Sequence, residues 1–332
     1  MRSIDSLVAR LHSEGSVFRL YSQRAGKIST ASDDSWRELE KRGLKVWQPP
    51  DETKLPILLV RGEIPQASYV AVVGSRAVDP YGRACARKVA RLVIDLGFHV
   101  LSGGAEGCDA QSHRVSLELG SPTVVVLGHG HDHTYPSHHR GLFDEVVRGG
   151  GAIVSPYWPT ISPRAYRFRE RNQVIARLSK AVVVVRARAR SGSLSTAMFA
   201  RQIGRPVLAI PSNVGQSLGY GCNELLATGA IPLIGPDQLA KTLGVEKTLV
   251  DVWASCERGS PSPWKAAVSL PRRTRTPEES LIISTLKSDT ILDLDTLHMR
   301  SGLTVAKLSA CLLNLEVQGV VQKTESDEYF IT

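Results

Sequence analysis

Val70-Ala-Val-Val-Gly-Ser-Arg76 is an aliphatic run that ends at a glycine, a hydroxyl and a cation. The same pattern returns in Val100-Leu-Ser-Gly-Gly-Ala-Glu-Gly-Cys-Asp109. Near-continuous aliphatic runs, as opposed to alternating ones, indicate strands covered on both faces, as in a parallel sheet. Glycine after such a strand lets the backbone approach a ligand, and the first N–H groups of the following helix favour anionic oxygens. Both loops therefore predict phosphate-binding positions at one edge of a sheet.

Similar runs recur downstream, each followed by turn residues and then by helix-period sequence. The candidate strands are residues 57–60, 69–73, 98–101, 123–127, 152–154, 181–185 and 207–210. Helices are expected after Pro80, Asp109, Ser137, Glu170, Ser193 and Gly221, several of which suit a first helical turn. The sequence thus predicts an α/β fold, an extended Rossmann-like and mostly parallel sheet with helices on both faces.

The periodicity also divides the chain. Residues 1–55 hold short apolar clusters among many charges and are expected to form a small helical or adapter segment, ahead of the Rossmann-like domain over residues 56–243. Residues 244–276 lose the periodicity and contain Ser-Pro-Ser-Pro, which predicts a linker. Residues 277–332 predict three helices and a two-stranded wing, that is, a small C-terminal winged-helix domain.

Composition places the chain among globular proteins. Of its 332 residues, 42% are hydrophobic and 22% are charged, without an extended apolar run or a secretory start, so we expect a cytoplasmic protein. The net charge of +9 makes a polyanion such as nucleic acid a reasonable partner. No C-x-x-C pair occurs, so neither a zinc ribbon nor a disulfide framework is predicted for Cys85, Cys108, Cys222, Cys256 and Cys311.

Most of the net charge falls between Arg164 and Arg190. This stretch holds nine cations against the single acid Glu170, with Tyr166 and Phe168 interleaved. Cations that follow a backbone and rings that stack on bases suit single-stranded nucleic acid. The alternative interpretation is a solvated basic face.

Ser191-Gly-Ser-Leu-Ser-Thr196 follows the candidate strand 181–185 and opens a helix. It predicts a third anion-binding loop at the same sheet edge, although its hydroxyls could serve only as a helix cap. Five of the nine histidines lie between His129 and His139 and could bind zinc with Asp132. Alternate histidines on a loop rarely converge on one ion, so we expect no metal and no cofactor.

Catalytic motifs are not evident in the sequence. Neither glycine loop is G-x-G-x-x-G, and no Gly-Lys-Ser/Thr follows a strand, which argues against dinucleotide and P-loop sites. Nucleophile, base and orienting acid do not occur together at motif spacing. We therefore predict a protein that is not an enzyme.

In these motifs the chain resembles the DNA-processing protein A family, DprA/Smf. The match is collinear over roughly residues 55–235 and again from residue 277. Besides the three loops it includes Pro80-Tyr-Gly82, Gly130-x-Asp132, Tyr135-Pro136, Phe168-x-x-Arg-Asn-x-x-Ile175 and Gly221-Cys-Asn223. The resemblance implies a protein that binds and protects single-stranded DNA, forms a homodimer and helps load the RecA recombinase in natural transformation or recombination.

The resemblance and the basic stretch together define the predicted DNA-binding residues. They are Gly74, Ser75, Arg76, Ser102, Gly103, Gly104, Ala105, Gly107, Asp109, Arg167, Arg169, Arg171, Asn172, Ser191, Gly192, Ser193 and Thr196.

The chain departs from the family at several positions. Glu106 stands where many members have Lys or Arg, and a carboxylate there repels phosphate unless an arginine neutralises it. His139 stands where the family usually has Asn, and Ser212-Asn213 replaces a common Gly-Ser.

Two other functions stay open from the sequence. The first is a nucleotide-binding or nucleotide-hydrolysing enzyme on the same fold, similar to the cytokinin-activating phosphoribohydrolases, in which Glu106 acts on a bound nucleotide; their Pro-Gly-Gly motif is missing here. The second is an interaction module whose winged helix binds a partner. Acidic residues dilute the basic ones in this tail, which favours a protein partner over duplex DNA.

Overall fold

The structure is a computed structural model and describes residues 4–16, 33–55, 57–245, 276–288, 292–317, 320–323 and 328–331. It consists of two compact units, Met1–Gly259 and Ser260–Thr332. Most of the predicted linker, residues 246–275, lies outside the described residues.

A nine-stranded sheet forms the larger unit, in the order β1-β2-β6-β5-β4-β3-β7-β8-β9. The strands are β1 Lys45–Trp47, β2 Leu58–Gly62, β3 Tyr69–Val73, β4 His99–Ser102, β5 Val124–Val126, β6 Ala152–Ser155, β7 Ser179–Val184, β8 Val207–Ala209 and β9 Ile231–Pro232. The pairs from β6 to β9 are parallel, and the pairs β1 with β2 and β2 with β6 are antiparallel.

Nine described helices belong to this unit. They are α1 Ile4–Glu14, α2 Asp33–Lys41, α3 Pro80–Asp95, α4 Cys108–Glu118, α5 Arg140–Arg148, α6 Ala165–Leu178, α7 Gly192–Gln202, α8 Tyr220–Ala227 and α9 Pro236–Leu243. Short 3-10 helices occupy Asp51–Thr53 and Ser137–His139.

The side chains of β3 explain why this strand is apolar throughout. Ala71 and Val73 pack in the same cluster as Val174 of α6 and Ala197 of α7. Val70 and Val72 point to the other face, in a cluster with α3, α4 and α9. Helices therefore cover both faces of the sheet, and the prediction of a mostly parallel α/β fold is confirmed.

The connections of β3 and β7 create the switch point of the sheet. Strand β3 leads through α3 to β4 on one side, whereas β7 leads through α7 to β8 on the other. Because β3 and β7 are neighbours, their following loops separate at the carboxyl edge and leave a crevice, the usual ligand position in such sheets.

Each of the predicted strands is present, with ends that differ by at most two residues. The helix expected after Glu170 begins earlier, at Ala165, because Arg164 is extended and takes the N-cap position. The two-residue β9 was not predicted, and neither was β1. Its three residues are half-buried or exposed and carry no long aliphatic run, so only their pairing with β2 makes them a strand.

The N-terminal helices pack on the antiparallel end of the sheet. Val8 and Leu11 of α1 and Leu39 of α2 share a buried cluster with Leu59 of β2 and with Trp158. Of the N-terminal apolar clusters in the sequence, Val17-Phe18 lies outside the described residues.

The smaller unit holds three helices and a three-stranded sheet. The helices are α10 Pro277–Ser288, α11 Leu294–Ser301 and α12 Val305–Val317, and the strands β10 Leu292–Asp293, β11 Val321–Lys323 and β12 Glu328–Ile331 pair in the order β10-β12-β11. The sequence pattern Leu292-Asp-Leu-Asp-Thr-Leu predicts the second of the three helices from Leu292, but Leu292 and Asp293 pair with β12 and the helix begins only at Leu294. Asp293 instead caps α11 by accepting from the Thr296 N–H.

No helix among the described residues is long and apolar enough to cross a membrane.

Candidate nucleic-acid interface

A cleft of about 990 Å³ lies at the carboxyl edge of the sheet, on the face that carries α6 and α7. It is lined by the loops after β3, β4 and β7, the first turns of α6 and α7, and Tyr135. This is the position of the switch point between β3 and β7, where the sequence predicts the phosphate-binding loops to meet.

The first loop, Gly74-Ser-Arg76, directs one cation into the cleft. Ser75 is turned inward, because its N–H donates to the Arg186 carbonyl at 2.7 Å and its hydroxyl donates to the Ala77 carbonyl at 2.7 Å. Gly74 lies so close to Cys108 that a Cβ would stand 2.4 Å from Sγ. The loop is thereby fixed, and Arg76 is its exposed group.

The Arg76 guanidinium lies beside two aromatic rings of the cleft. Its Cζ is 5.3 Å from the centroid of Phe168 and 5.7 Å from that of Tyr135. The two rings lie 5.3 Å apart, tilted by 47°. A cation with adjacent partly exposed rings is the combination that holds a phosphate and a stacked base side by side.

The second loop, residues 102–109, mostly braces the first. Two of its N–H groups, of Gly103 and Ala105, donate to Asp109 Oδ2 at 3.1 and 3.3 Å. The hydroxyl of Ser102 is fully buried and donates to the Val72 carbonyl. Those N–H groups are therefore occupied by a protein carboxylate. Of the predicted residues in this loop, Ala105 and Asp109 line the cleft, whereas Ser102, Gly103, Gly104 and Gly107 do not.

Arg171 and Asn172 join α6 to the loops around it. Arg171 is 4% exposed and donates through Nη1 to the Gly103 and Val126 carbonyls, and burial lowers its pKa to about 10. Asn172 Nδ2 donates to the Gly192 carbonyl at 3.1 Å. Burial also raises the pKa of Asp109, against the field of Arg171. Both α6 residues line the cleft, but Arg171 Nη1 and Asn172 Nδ2 donate to protein carbonyls.

The third loop presents the start of α7 to the cleft. Ser191, Gly192, Ser193 and Thr196 all line it. No side chain caps α7, and nothing lies within 4 Å of a Cβ added at Gly192. The Ser191 and Ser193 hydroxyls bond each other at 2.8 Å. Uncapped N–H groups at a helix start attract anionic oxygens. The third loop can therefore donate to a ligand, whereas in the second loop the Gly103 and Ala105 N–H groups already donate to Asp109.

The fold separates the cations of the basic stretch, residues 164–190, into those that line the cleft and those that do not. Arg164, Arg169 and Arg190 line the cleft together with Arg76 and are exposed. Among the described residues, these four arginines have no acidic partner.

Most other cations of the stretch bond to groups of the protein itself, whereas Arg188 is exposed. Arg186 is 2% exposed and pairs with Asp79 at 2.5 Å. Arg177 donates to the Thr53 carbonyl, and Lys180 lies 3.7 Å from a Glu52 oxygen. Arg167, a predicted contact, donates to the Ser162 carbonyl and does not line the cleft, whereas the predicted Arg169 does.

Four charged or aromatic residues of the cleft were missing from the predicted set: Tyr135, Arg164, Phe168 and Arg190. Phe168 and both arginines belong to the basic, aromatic stretch that the sequence singles out, and Tyr135 belongs to a conspicuous Tyr-Pro pair after β5. Their signals were present, but only the fold tells which members of the stretch face the crevice.

Glu106 and the histidines lie outside the cleft lining. Glu106 is exposed and its carboxylate is 3.2 Å from His138 Nε2, so its neighbour is an imidazole and not an arginine. His139 is buried, and its Nδ1 donates to the Gly104 carbonyl at 2.9 Å, which supports the second loop.

The remaining histidines of the tract bond different carbonyls. His129 donates to Gly130, His131 to Leu59 and His133 to Thr160. Burial lowers the pKa of His129 and of His131 to about 4. Within the described part of the chain, no three His, Cys, Asp or Glu side chains are grouped to hold a metal ion.

Comparison with known proteins identifies two family models along the chain. DNA recombination-mediator protein A matches residues 28–244, and the DprA winged helix domain matches residues 266–325, which confirms the predicted winged helix. The chain is 32% identical to a putative DNA processing protein DprA of Mycobacterium tuberculosis, over 91% of this chain and 76% of that protein. It is 33% identical to protein Smf of Escherichia coli, over 79% of this chain and 68% of that protein.

Solved structures agree. DprA of Streptococcus pneumoniae superposes with a TM-score of 0.58 at 26% identity, over 72% of this chain and 93% of that one. DprA of Helicobacter pylori gives a TM-score of 0.53 at 26% identity, over 60% and 95% respectively. The chain therefore belongs to the DprA/Smf family of DNA-processing proteins.

Proposed function

We propose that the cleft binds single-stranded DNA. One observation carries the proposal: four exposed arginines without a described acidic partner surround two adjacent aromatic rings and an uncapped helix start. Phosphates pair with Arg76, Arg164, Arg169 and Arg190, because guanidinium groups grip phosphate oxygens with a planar fork of donors.

The aromatic pair is the reason why we propose that the cleft binds single-stranded and not duplex DNA. Tyr135 and Phe168 can stack only on bases that are not already stacked and paired in a duplex, and such stacking contributes about 1–3 kcal/mol per base. The Gly192 and Ser193 N–H groups at the start of α7 add donors for one further phosphate. A single-stranded DNA binding mode is also described for the Helicobacter pylori relative, which supports this assignment.

Binding to an oligothymidylate and to a duplex of equal length tests the proposal. The single strand should bind more tightly, and Arg76→Ala should weaken it by roughly 10-fold, since one charge-assisted contact contributes about 1.5 kcal/mol. Arg148→Ala removes an exposed arginine at the far end of α5 and is the matched control, with wild-type affinity. Equal affinity for both DNAs, or an unaffected Arg76→Ala protein, contradicts the assignment.

We further propose that the DNA-bound protein helps to load RecA recombinase, and that it does so as a homodimer during natural transformation or recombination. The family description as a recombination mediator supports this role. The test is the rate at which RecA begins ATP hydrolysis on an oligonucleotide already covered by this protein. The Arg76→Ala protein should lose any acceleration, and sedimentation should give twice the chain mass.

We propose no chemical step. The competing nucleotide-hydrolase hypothesis needs Glu106 at a bound nucleotide, and this carboxylate faces His138 outside the cleft lining. Incubation with nucleoside monophosphates should release no free base. Release that is lost in Glu106→Gln would favour the enzyme.

A further inference from the structure

The loop after β3 runs from the cleft to the opposite face of the sheet. Its Arg76 lines the cleft beside α6 and α7, and the loop ends at α3, which packs on the other face. Tyr81, in the first turn of α3, is 51% exposed and does not line the cleft.

The Tyr81 ring rests on a buried cation. The Cζ of Arg186 lies 4.7 Å from the ring centroid, and Arg186 itself is 2% exposed. Its guanidinium is held by Asp79, with Nη2 to Oδ2 at 2.5 Å, and by the Ser212 hydroxyl at 2.5 Å. One side of the ring is thus fixed by a cation–π contact, and the rest of the ring remains accessible.

Two further arginines lie near the Tyr81–Arg186 pair along the chain: Arg83 is two residues after Tyr81 and Arg188 two residues after Arg186, and Arg83 Nη1 donates to the Val78 carbonyl. Arg83 and Arg188 are exposed, and neither has an acidic partner in the described ranges. Asp79 is engaged by Arg186 and so does not offset them. Two exposed cations without a described acidic partner, close to this pair along the chain, suit a polyanion.

The backbone of Arg186, whose side chain carries the Tyr81 ring, is close to the cleft along the chain. Arg190 lines the cleft, and four residues of extended chain from Arg186 reach at most ~14 Å. At about 3.4 Å per stacked nucleotide this backbone span corresponds to roughly four nucleotides, and the Arg186 side chain adds to the path that ends at Tyr81.

We propose that Tyr81 is a stacking platform for a base of the same DNA strand, beyond the nucleotides held in the cleft. Arg83 and Arg188 contact the phosphates that flank this base. The inference rests on the proposed function, because the strand reaches Tyr81 only by leaving the cleft.

A length series of oligothymidylates tests the inference. With the wild-type protein, affinity rises steeply once the strand is long enough to reach from the cleft to Tyr81. Tyr81→Ala should bind the shortest oligomers as the wild type does and should lose roughly 5- to 150-fold in affinity for the longer ones, the range for one stacked base.

Further variants separate stacking from damage to the fold. Tyr81→Phe keeps the ring and should behave as the wild type, whereas Tyr81→Leu keeps bulk without a π-face and should behave as Tyr81→Ala. Ile203→Ala removes an exposed apolar side chain at the far end of α7 and should leave the whole length series unchanged.

A fluorescent base gives an independent readout. 2-Aminopurine placed at successive positions should be quenched by stacking at one position beyond the cleft, in the wild type and Tyr81→Phe but not in Tyr81→Ala. A length series and a quenching profile identical in Tyr81→Ala and the wild type overturn the platform alone. Failure of the cleft proposal is recognised separately, because then the shortest oligomers are insensitive to Arg76→Ala.

Discussion

At the scale of single residues, Gly107 holds the first two loops together. Its φ is +75°, and an added Cβ would stand 2.3 Å from the Ser75 carbonyl oxygen and 2.4 Å from that of Arg76. Gly107→Ala should lower the free energy of unfolding by about 3 kcal/mol, through backbone strain and the clash. Guanidinium unfolding measures it.

Gly120→Ala is the matched control for this effect. Gly120 also has a positive φ, of +65°, but nothing lies within 4 Å of its added Cβ. Strain alone should cost about 1 kcal/mol here. Equal losses at Gly107 and Gly120 would contradict the close approach of the two loops.

Glu106 is the residue for which the sequence and the structure lead to different expectations about DNA binding. In the sequence it stands in a predicted phosphate loop, whereas in the structure it is exposed, faces His138 and lies outside the cleft lining. An exposed charge at a distance is largely screened at physiological salt. Glu106→Gln should therefore change single-strand affinity by less than about 2-fold. A gain above 10-fold would place the carboxylate beside a phosphate.

At the scale of elements, two buried histidines make the free energy of unfolding depend on pH. Burial lowers the pKa of His113 on α4 to about 3 and that of His131, after β5, to about 4. The unfolded chain takes up these protons near pH 6.5 and the folded chain does not, so the free energy of unfolding falls as the pH drops from about 6.5 towards 4.

In that pH window each of these histidines contributes up to about 1.4 kcal/mol per pH unit to the slope of the free energy of unfolding against pH. Urea unfolding at several pH values checks this, and His131→Gln should reduce the slope by the share of one histidine. A stability that stays constant between pH 6.5 and 4.5 would contradict the burial of neutral imidazoles.

The strands show which parts of the fold can be predicted from the sequence. The aliphatic runs predicted each central strand within two residues, because strands covered on both faces need apolar side chains on both faces. The short β1, β9 and β10 were missed, since pairing with a neighbour and not composition makes them strands.

The sequence predicted which loops form the cleft but not which of their groups face it. Glycine and serine after strands identified the three loops, yet sequence could not show that Asp109 takes the Gly103 and Ala105 N–H groups. Nor could it show that Arg171 and Arg186 are buried while Arg164 and Arg190 face the cleft. Which way a side chain points from a helix end or a loop depends on packing that the local sequence does not contain.

At the scale of the whole molecule, the cleft lies entirely within the larger unit. The winged-helix tail carries acids such as Asp293, Asp295 and Glu316 beside Arg300 and Lys307, which favours a protein partner over DNA. Deletion of residues 277–332 should leave oligothymidylate affinity within about 2-fold of the full chain, because no cleft arginine is lost. Titration of a labelled oligonucleotide measures it, and a 10-fold loss would show that the tail binds the strand.

The net charge of +9 can bind DNA only where the fold leaves cations unpaired, as at the four cleft arginines, of which Arg76, Arg164 and Arg190 are replaced together by alanine in the test below. The most direct test is the dependence of single-strand affinity on salt, for the wild type and for the triple alanine variant. Each phosphate contact contributes about −0.7 to the slope of log K against log salt concentration, so the variant should lose about 2 units of slope. An unchanged slope in a folded variant would contradict the account.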